Sequence, residues 1–303
     1  MKKKIIIISI SLIIPYIVTL MCVKQSGSLY KVYEVKESGY IIELDEGSID
    51  MESFIPMVLM TRLDISSEEE VLKVQAVIIR TYIANKLEET KNKSISVSEL
   101  NLKYMSYEKM KNVWGEEFTK NYNYLNKIIS NTSMQVITYD NKLIKPYYHE
   151  ASCGKTRNSD KEYLKSVDSE DDIMAKNFLS IQYFTLDEMY KKLKDKNESY
   201  VFDKEKGAKN FEYVFNENTE YVESLKLDEN QITVNEFVEI FDLKSNAFTI
   251  EDYEGQIRII CKGIGHGYGV SMYGATCMAK EGNGYDTIIK YYFKGVSIPE
   301  LEV

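Results

Sequence analysis

A stretch without a single charge runs from Ile5 to Val23, directly behind Lys2-Lys3-Lys4. About 18 or more such residues suffice to cross a bilayer core as a helix. Basic residues on its leading side favour keeping that end in the cytoplasm. The pattern predicts a short cytoplasmic tail over 1–4, a single transmembrane helix over 5–23, and a bulk chain outside the cell, held at the cell membrane by one pass. A cleaved signal peptide is the rival reading. The run is long for one, Leu20-Met21-Cys22 is not a small-residue cleavage site, and Cys22 lacks the small residue a lipobox sets before its cysteine.

Residues 24–45 read as a linker with the first strands, at Tyr30 to Val35 and Tyr40 to Leu44. A domain is expected over 46–303. Its clearest helix is Ser67 to Lys91, where Ser67 and Glu70 have capping-box spacing and Leu72, Ala76, Ile79, Ile83 and Leu87 mark one buried face. Lys103 to Ser130 reads as helix in two pieces, broken near Gly115. Val136 to Tyr139, Asp140-Asn141 and Leu143 to His149 read as a hairpin. Thr185 with Glu188 opens a short helix ending near Asp195. The polar stretch that follows suggests a surface insertion or lobe boundary near 196–218. Gln256 to Cys261 is strand-like, Met272 to Lys280 helical up to Gly282, and Gly284 opens a last helix, Tyr285 to Phe293. The class is α+β, mixed helices and mostly antiparallel strands around one cleft, behind the transmembrane helix.

Composition narrows the ligand. A net charge of −9 and a pI near 5.1 argue against nucleic acid, which needs a basic footprint. They also disfavour an anionic membrane surface and leave an uncharged or sparsely charged polymer open. Three cysteines beyond the apolar run, Cys153, Cys261 and Cys277, are an odd number and no disulfide framework. The chain has two histidines, His149 and His266.

Both histidines sit in segments with chemical character. Gly263 to Gly274 holds five glycines, two of them flanking His266. Glycine permits positive φ and close approach of a ligand, and N–H groups at the following helix start suit a polar or anionic group. The same pattern also fits a tight strand-to-helix turn. The second segment, Tyr147 to Arg157, follows a strand and concentrates His149, Glu150, Ser152, Cys153, Lys155 and Thr156. His149 and Cys153 are zinc-ligand types, though a structural zinc site takes four protein ligands. On the helix, Gln75, Arg80 and Thr81 either line a cleft or face water.

Three ordered blocks resemble the stage II sporulation protein D (SpoIID)/LytB family of bacterial cell-wall proteins. They are Leu72 to Tyr82, Tyr148-His149 to Thr156, and Gly265-His266-Gly267 to Ala275, the last with Met272 where the family has Gln. Tyr163 to Asp168 and Ile289 to Tyr292 resemble it too. The resemblance implies peptidoglycan glycan strands as ligand, a place in sporulation (engulfment), and other sporulation or wall hydrolase proteins as partners. It implies lytic transglycosylase chemistry, in which one carboxylic acid protonates the glycosidic oxygen and then helps close the anhydro ring. By ungapped count from Leu72-Lys73, Arg62 stands where the family has its acid, and arginine cannot shuttle a proton.

The expectation is therefore a protein that binds or remodels glycan, transglycosylase-like but degenerate at the general acid. Gln75, Arg80, His149, Ser152, Lys155, Thr156, His266, Ser271 and Tyr273 are its expected glycan-binding residues. The alternatives are an active transglycosylase using Asp64 or Glu150, and a membrane-bound scaffold for other wall enzymes.

Overall fold

Ile41–Leu44 (β1) turns back through Glu46 into Gly47–Asp50 (β2), and the two pair antiparallel, with Ser94–Ser96 (β3) added parallel on the other edge of β1. The structure, a computed structural model, describes residues 32–302 apart from 229. The fold below is the unit that begins at Val35. Residues 32–35 are not strand, and Tyr30 lies outside the described residues.

Asp50 ends β2 and caps the next helix, Met51–Leu59 (α1), accepting the Glu52 N–H at 2.9 Å. This helix escaped the sequence reading because Met51 to Leu59 is apolar nearly throughout. It has no polar face to create a period, and its one charge, Glu52, is fully buried.

Glu69–Thr90 (α2) is the central element. Its expected face, Leu72, Ala76, Ile79, Ile83 and Leu87, packs into a first core with α1, Ile42, Ile95 and the helices Tyr107–Trp114 (α4) and Phe118–Asn131 (α5); Val97–Leu100 (α3) lies before them. The opposite face, Val71, Val74, Val77 and Ile78, enters another core with Met272–Lys280 (α8) and Tyr285–Tyr292 (α9). A helix covered on both sides has no water-facing stripe in its middle turns, so Gln75, Arg80 and Thr81 are fully buried. The Ser67–Glu70 capping box does not form. The N-cap is Glu68, without a side-chain bond, while Glu70 binds Lys73 and accepts the Tyr285 N–H at 2.7 Å, serving the uncapped start of α9.

The expected hairpin is shorter than predicted. Thr138–Tyr139 (β4) and Lys142–Leu143 (β5) pair across Asp140-Asn141, both at positive φ as a type I′ turn requires. Tyr148–His149 (β6) leaves it to pair elsewhere. A further core lies between the antiparallel sheet of Leu179–Thr185 (β7), Phe248–Tyr253 (β11) and Gln256–Lys262 (β12) and the elements Leu186–Lys196 (α6), Phe211–Phe215 (β8), Val222–Leu227 (β9), Asn230–Ile232 (β10) and Val234–Ile240 (α7). Thr185 and Glu188 form the expected capping box there. In the 196–218 stretch, Tyr200, Phe202 and Phe211 are buried in this core, three aromatic anchors spaced too irregularly to read as an element.

Mixed helices and mostly antiparallel strands are thus present, but the transmembrane helix is corrected. Among the described residues no helix is long and apolar enough to cross a membrane, and the predicted segment 5–23 lies outside them. The longest helix described, α2, carries Glu69, Glu70, Lys73, Arg80, Lys86, Glu88 and Glu89, and its apolar faces are covered by protein. Single-pass placement in the cell membrane is likewise not supported.

Candidate functional site

β6 pairs parallel with Val270–Ser271 (β13), setting Tyr148 beside Val270 and His149 beside Ser271. This short ladder joins two motifs far apart in sequence. It is extended by paired bonds between Ala151 and Ile264 (2.7 and 3.2 Å), by Arg157 N–H to Gly267 O (2.7 Å) and by Tyr273 N–H to Glu150 O (2.9 Å). Three glycines of the His266 segment, Gly263, Gly265 and Gly269, serve this approach of chain to chain, while Gly267 makes room for the Tyr221 ring. Gly265, at φ +105°, would set a Cβ 2.8 Å from the His149 Cβ, and a Cβ on Gly269, at φ +71°, would overlap the Tyr147 carbonyl. Their expected use, letting a ligand come close, is taken up by the protein itself.

The histidines are placed differently. His149 is buried, its Nδ1 3.1 Å from the Tyr268 carbonyl, and its Nε2 has no partner among the described residues. The carbonyl can only accept, so the proton belongs on Nδ1 and Nε2 is a bare acceptor. Burial and the neighbouring His266 lower its pKa to about 3. His266 accepts the Tyr268 N–H at Nδ1 (3.0 Å), which puts its proton on Nε2. Burial and Arg157 hold its pKa at about 4. The ring centroids are 6.0 Å apart, so two neutral imidazoles lie side by side, one offering an acceptor and one a donor.

His266 reaches a cleft of about 430 Å3, which it lines with Arg62, Tyr82, Asn85, Tyr147 and Tyr148. Tyr147 and His266 also border a second recess of about 670 Å3 on the side of Arg157, Glu223 and Tyr268. Arg62 lies in the first, its guanidinium 4.7 Å from the Tyr148 ring centre and its Nη1 donating to Gln75 Oε1 at 3.2 Å. Gln75 is oriented in turn by Nε2 to Met272 Sδ at 2.9 Å.

The other expected residues divide. Ser152 and Ser271 are buried behind the ladder and meet at Asp172, which accepts the Ser152 N–H at 2.7 Å and the Ser271 hydroxyl at 2.8 Å. Burial pushes the Asp172 carboxyl above its ordinary value, against those hydrogen bonds. Ser271 also caps α8, accepting the Gly274 N–H. Thr156 is buried in backbone bonding with Val167, and Lys155 pairs with Asp168 at 3.1 Å on the surface. Tyr273 is half-buried and borders neither recess. Arg80 faces the interior, its guanidinium clasped by both Glu52 oxygens and donating to Gln135 O at 3.1 Å. Of the expected set, then, His266 and, through its contact with Arg62, Gln75 are brought to the cleft, with His149 directly behind.

Neither expected acid lines it. Asp64 is exposed and accepts two bonds from Ser66, which hold its carboxyl below the ordinary value. Glu150 is exposed and borders neither recess. As for zinc, Cys153 Sγ lies 3.8 Å from Lys155 O, and among the described residues no three His, Cys, Asp or Glu side chains are grouped to hold a metal ion. Sequence reasoning missed Asp172, hidden in an acidic run that reads as solvated. It also missed Tyr82, Tyr147 and Tyr148 as lining; the last two were legible as neighbours of His149.

Residues 46–139 match the model of the SpoIID family, described as stage II sporulation protein. The chain is 27% identical over 296 residues to stage II sporulation protein D of Bacillus amyloliquefaciens, covering 92% of this chain and 81% of that protein. It is 26% identical over 268 residues to stage II sporulation protein D of Bacillus subtilis (strain 168), covering 84% and 76%. A shorter match, 38% over 55 residues, covers 18% of this chain and 8% of the amidase enhancer of Bacillus subtilis (strain 168). The resemblance read from the three motifs is borne out, and these similarities support a role in sporulation.

Proposed function

We propose, for a chain that carries a SpoIID domain and is similar over most of its length to stage II sporulation protein D, that it binds peptidoglycan glycan strands during sporulation without cleaving them. The observation that carries this reading is the lining of the His266 cleft. Tyr147 and Tyr82 line it with aromatic rings suited to the C–H sides of sugars, the Tyr148 ring carries the Arg62 guanidinium, and His266, Asn85 and Arg62 offer polar groups for hydroxyls and acyl groups. Apolar walls with a few fixed polar groups are what a small-ligand site requires.

Catalysis would need a carboxyl group with its pKa raised towards the working pH, within reach of the bond. The carboxylate on this cleft, Glu89, pairs with Lys86 at 2.7 Å and is held below its ordinary value. Asp64 is shifted the same wrong way. The active-enzyme reading gains no observation in its favour.

The test is incubation of the purified protein with peptide-free glycan strands, scoring retention and analysing products by mass. Retention without 1,6-anhydro sugars is expected. Anhydro products would replace this reading with that of a transglycosylase, and absence of retention would end it.

A further inference from the structure

The chain has four arginines. Arg80 is paired with Glu52, Arg157 with Glu223 and Arg258 with Glu251. Arg62 alone among them has no carboxylate partner among the described residues, although acidic residues outnumber basic ones, 47 to 38. It is half-buried, with a ring face on one side and a single amide oxygen accepting from Nη1. A guanidinium has five N–H donors, so most are unspent on protein. Keeping a partly desolvated cation without a counter-ion is costly, and burial duly pushes Arg62 below its ordinary value. The nearby cations do not share its position: Lys86 is paired with Glu89, and Lys145 is exposed at the rim.

The surroundings hold the group still. Gln75 is fully buried and fixed through Met272, and the Tyr148 ring beneath the guanidinium belongs to the β6–β13 ladder. His266 contributes an Nε2 proton to the same cleft. A rigid planar fork with a second donor nearby suits a carboxylate, which accepts from both arms of a guanidinium.

We propose that Arg62 is a carboxylate receptor, and that the cleft recognises glycan through the lactyl carboxylate of its muramic acid residues. This deepens the glycan-binding reading and rests on it. The lactyl carboxylate is free on a sugar without peptide and consumed as an amide where peptide is attached. Recognition therefore depends on charge at this position, and the residue that replaces the family acid becomes a specificity-determining residue.

The experiment measures binding of the full chain to two preparations of the same peptide-free strands, one native and one with its carboxylates converted to primary amides. The unaltered protein is expected to bind native strands about ten- to a hundredfold tighter, the range of a bidentate charge-assisted contact. The preference should shrink as salt is raised. Arg62→Gln should bind both preparations alike at the weaker level, and Arg62→Lys should recover part of the preference, having charge without the fork. The amidated arm on unaltered protein stands even if a variant folds poorly. Equal binding of both preparations overturns the inference and leaves glycan binding intact. A preference that persists in Arg62→Gln overturns it too. Binding of neither preparation defeats the glycan reading and this inference with it. Tighter binding of peptide-bearing strands rejects the lactyl group as the source.

Discussion

His149 has 4% of its surface exposed and keeps a bare Nε2 in the interior, so the folded protein resists its protonation. Burial, with His266 adding to it, holds its pKa at about 3 against an ordinary 6.5. The unfolded chain takes up that proton near the ordinary value, whereas the native state waits until about pH 3. Between the two, the unfolded state binds more protons, so stability is present at neutral pH and falls as pH falls. For one group shifted this far, acidifying from about pH 7.5 to about pH 5 removes roughly 2 kcal/mol. His266, with its pKa at about 4, adds loss in the same direction. Asp172 acts oppositely: its raised pKa gives stability present at low pH that is lost as pH rises through the folded value. A difference measurement cancels it. Urea unfolding of the parent and of His149→Gln across this pH range should show the parent losing roughly 2 kcal/mol more than the variant. Equal slopes would refute the reasoning, because they would mean that His149 takes a proton in the folded state as readily as in the unfolded chain.

Removing one partner of the Arg80–Glu52 pair, by Glu52→Ala or Arg80→Ala, strands a buried charge and should cost about 3–5 kcal/mol in denaturant unfolding, while Glu52→Leu with Arg80→Met recovers much of it. Gly269→Ala, which forces a methyl into the Tyr147 carbonyl, should lose about 3 kcal/mol or more; Gly282→Ala, also at positive φ but facing open space, should lose about 1 kcal/mol, as thermal melts of the two will show. Asp172→Ala leaves the Ser152 N–H and the Ser271 hydroxyl without their acceptor and should cost about 3 kcal/mol, against about 1 kcal/mol for Asp172→Asn, which can keep one bond; equal losses would count against a hydrogen-bonding role.

Much of the fold was legible where one side of an element meets water. The Thr185–Glu188 box, the break at Gly115 and the two closing helices follow from local rules and stand in the structure. The α2 face of Leu72, Ala76, Ile79, Ile83 and Leu87 was right but was half of the truth, because Val71, Val74, Val77 and Ile78 are buried on the other side. α1 was invisible for the same reason: an element without a wet face leaves no period to read. Glu70 had the spacing of one cap and performs another, at Tyr285, which no local rule can foresee.

The candidate site divides along the same line. The amino-acid order alone marked out the candidate segments, since the His266 turn is dense in glycine and three ordered blocks, with Tyr163 to Asp168 and Ile289 to Tyr292 beside them, carry the family likeness. Counted without gaps from Leu72-Lys73, the resemblance also set Arg62 where it implies an acid. Tertiary structure decided what those residues do. It turned Gly263, Gly265 and Gly269 towards the 147–152 chain, fastened Ser152 and Ser271 to Asp172, and buried Arg80 against Glu52. It left Arg62 in the cleft without a counter-charge among the described residues. Whether a polar side chain meets water, ligand or a buried partner depends on elements distant in sequence, and composition and spacing cannot encode that choice.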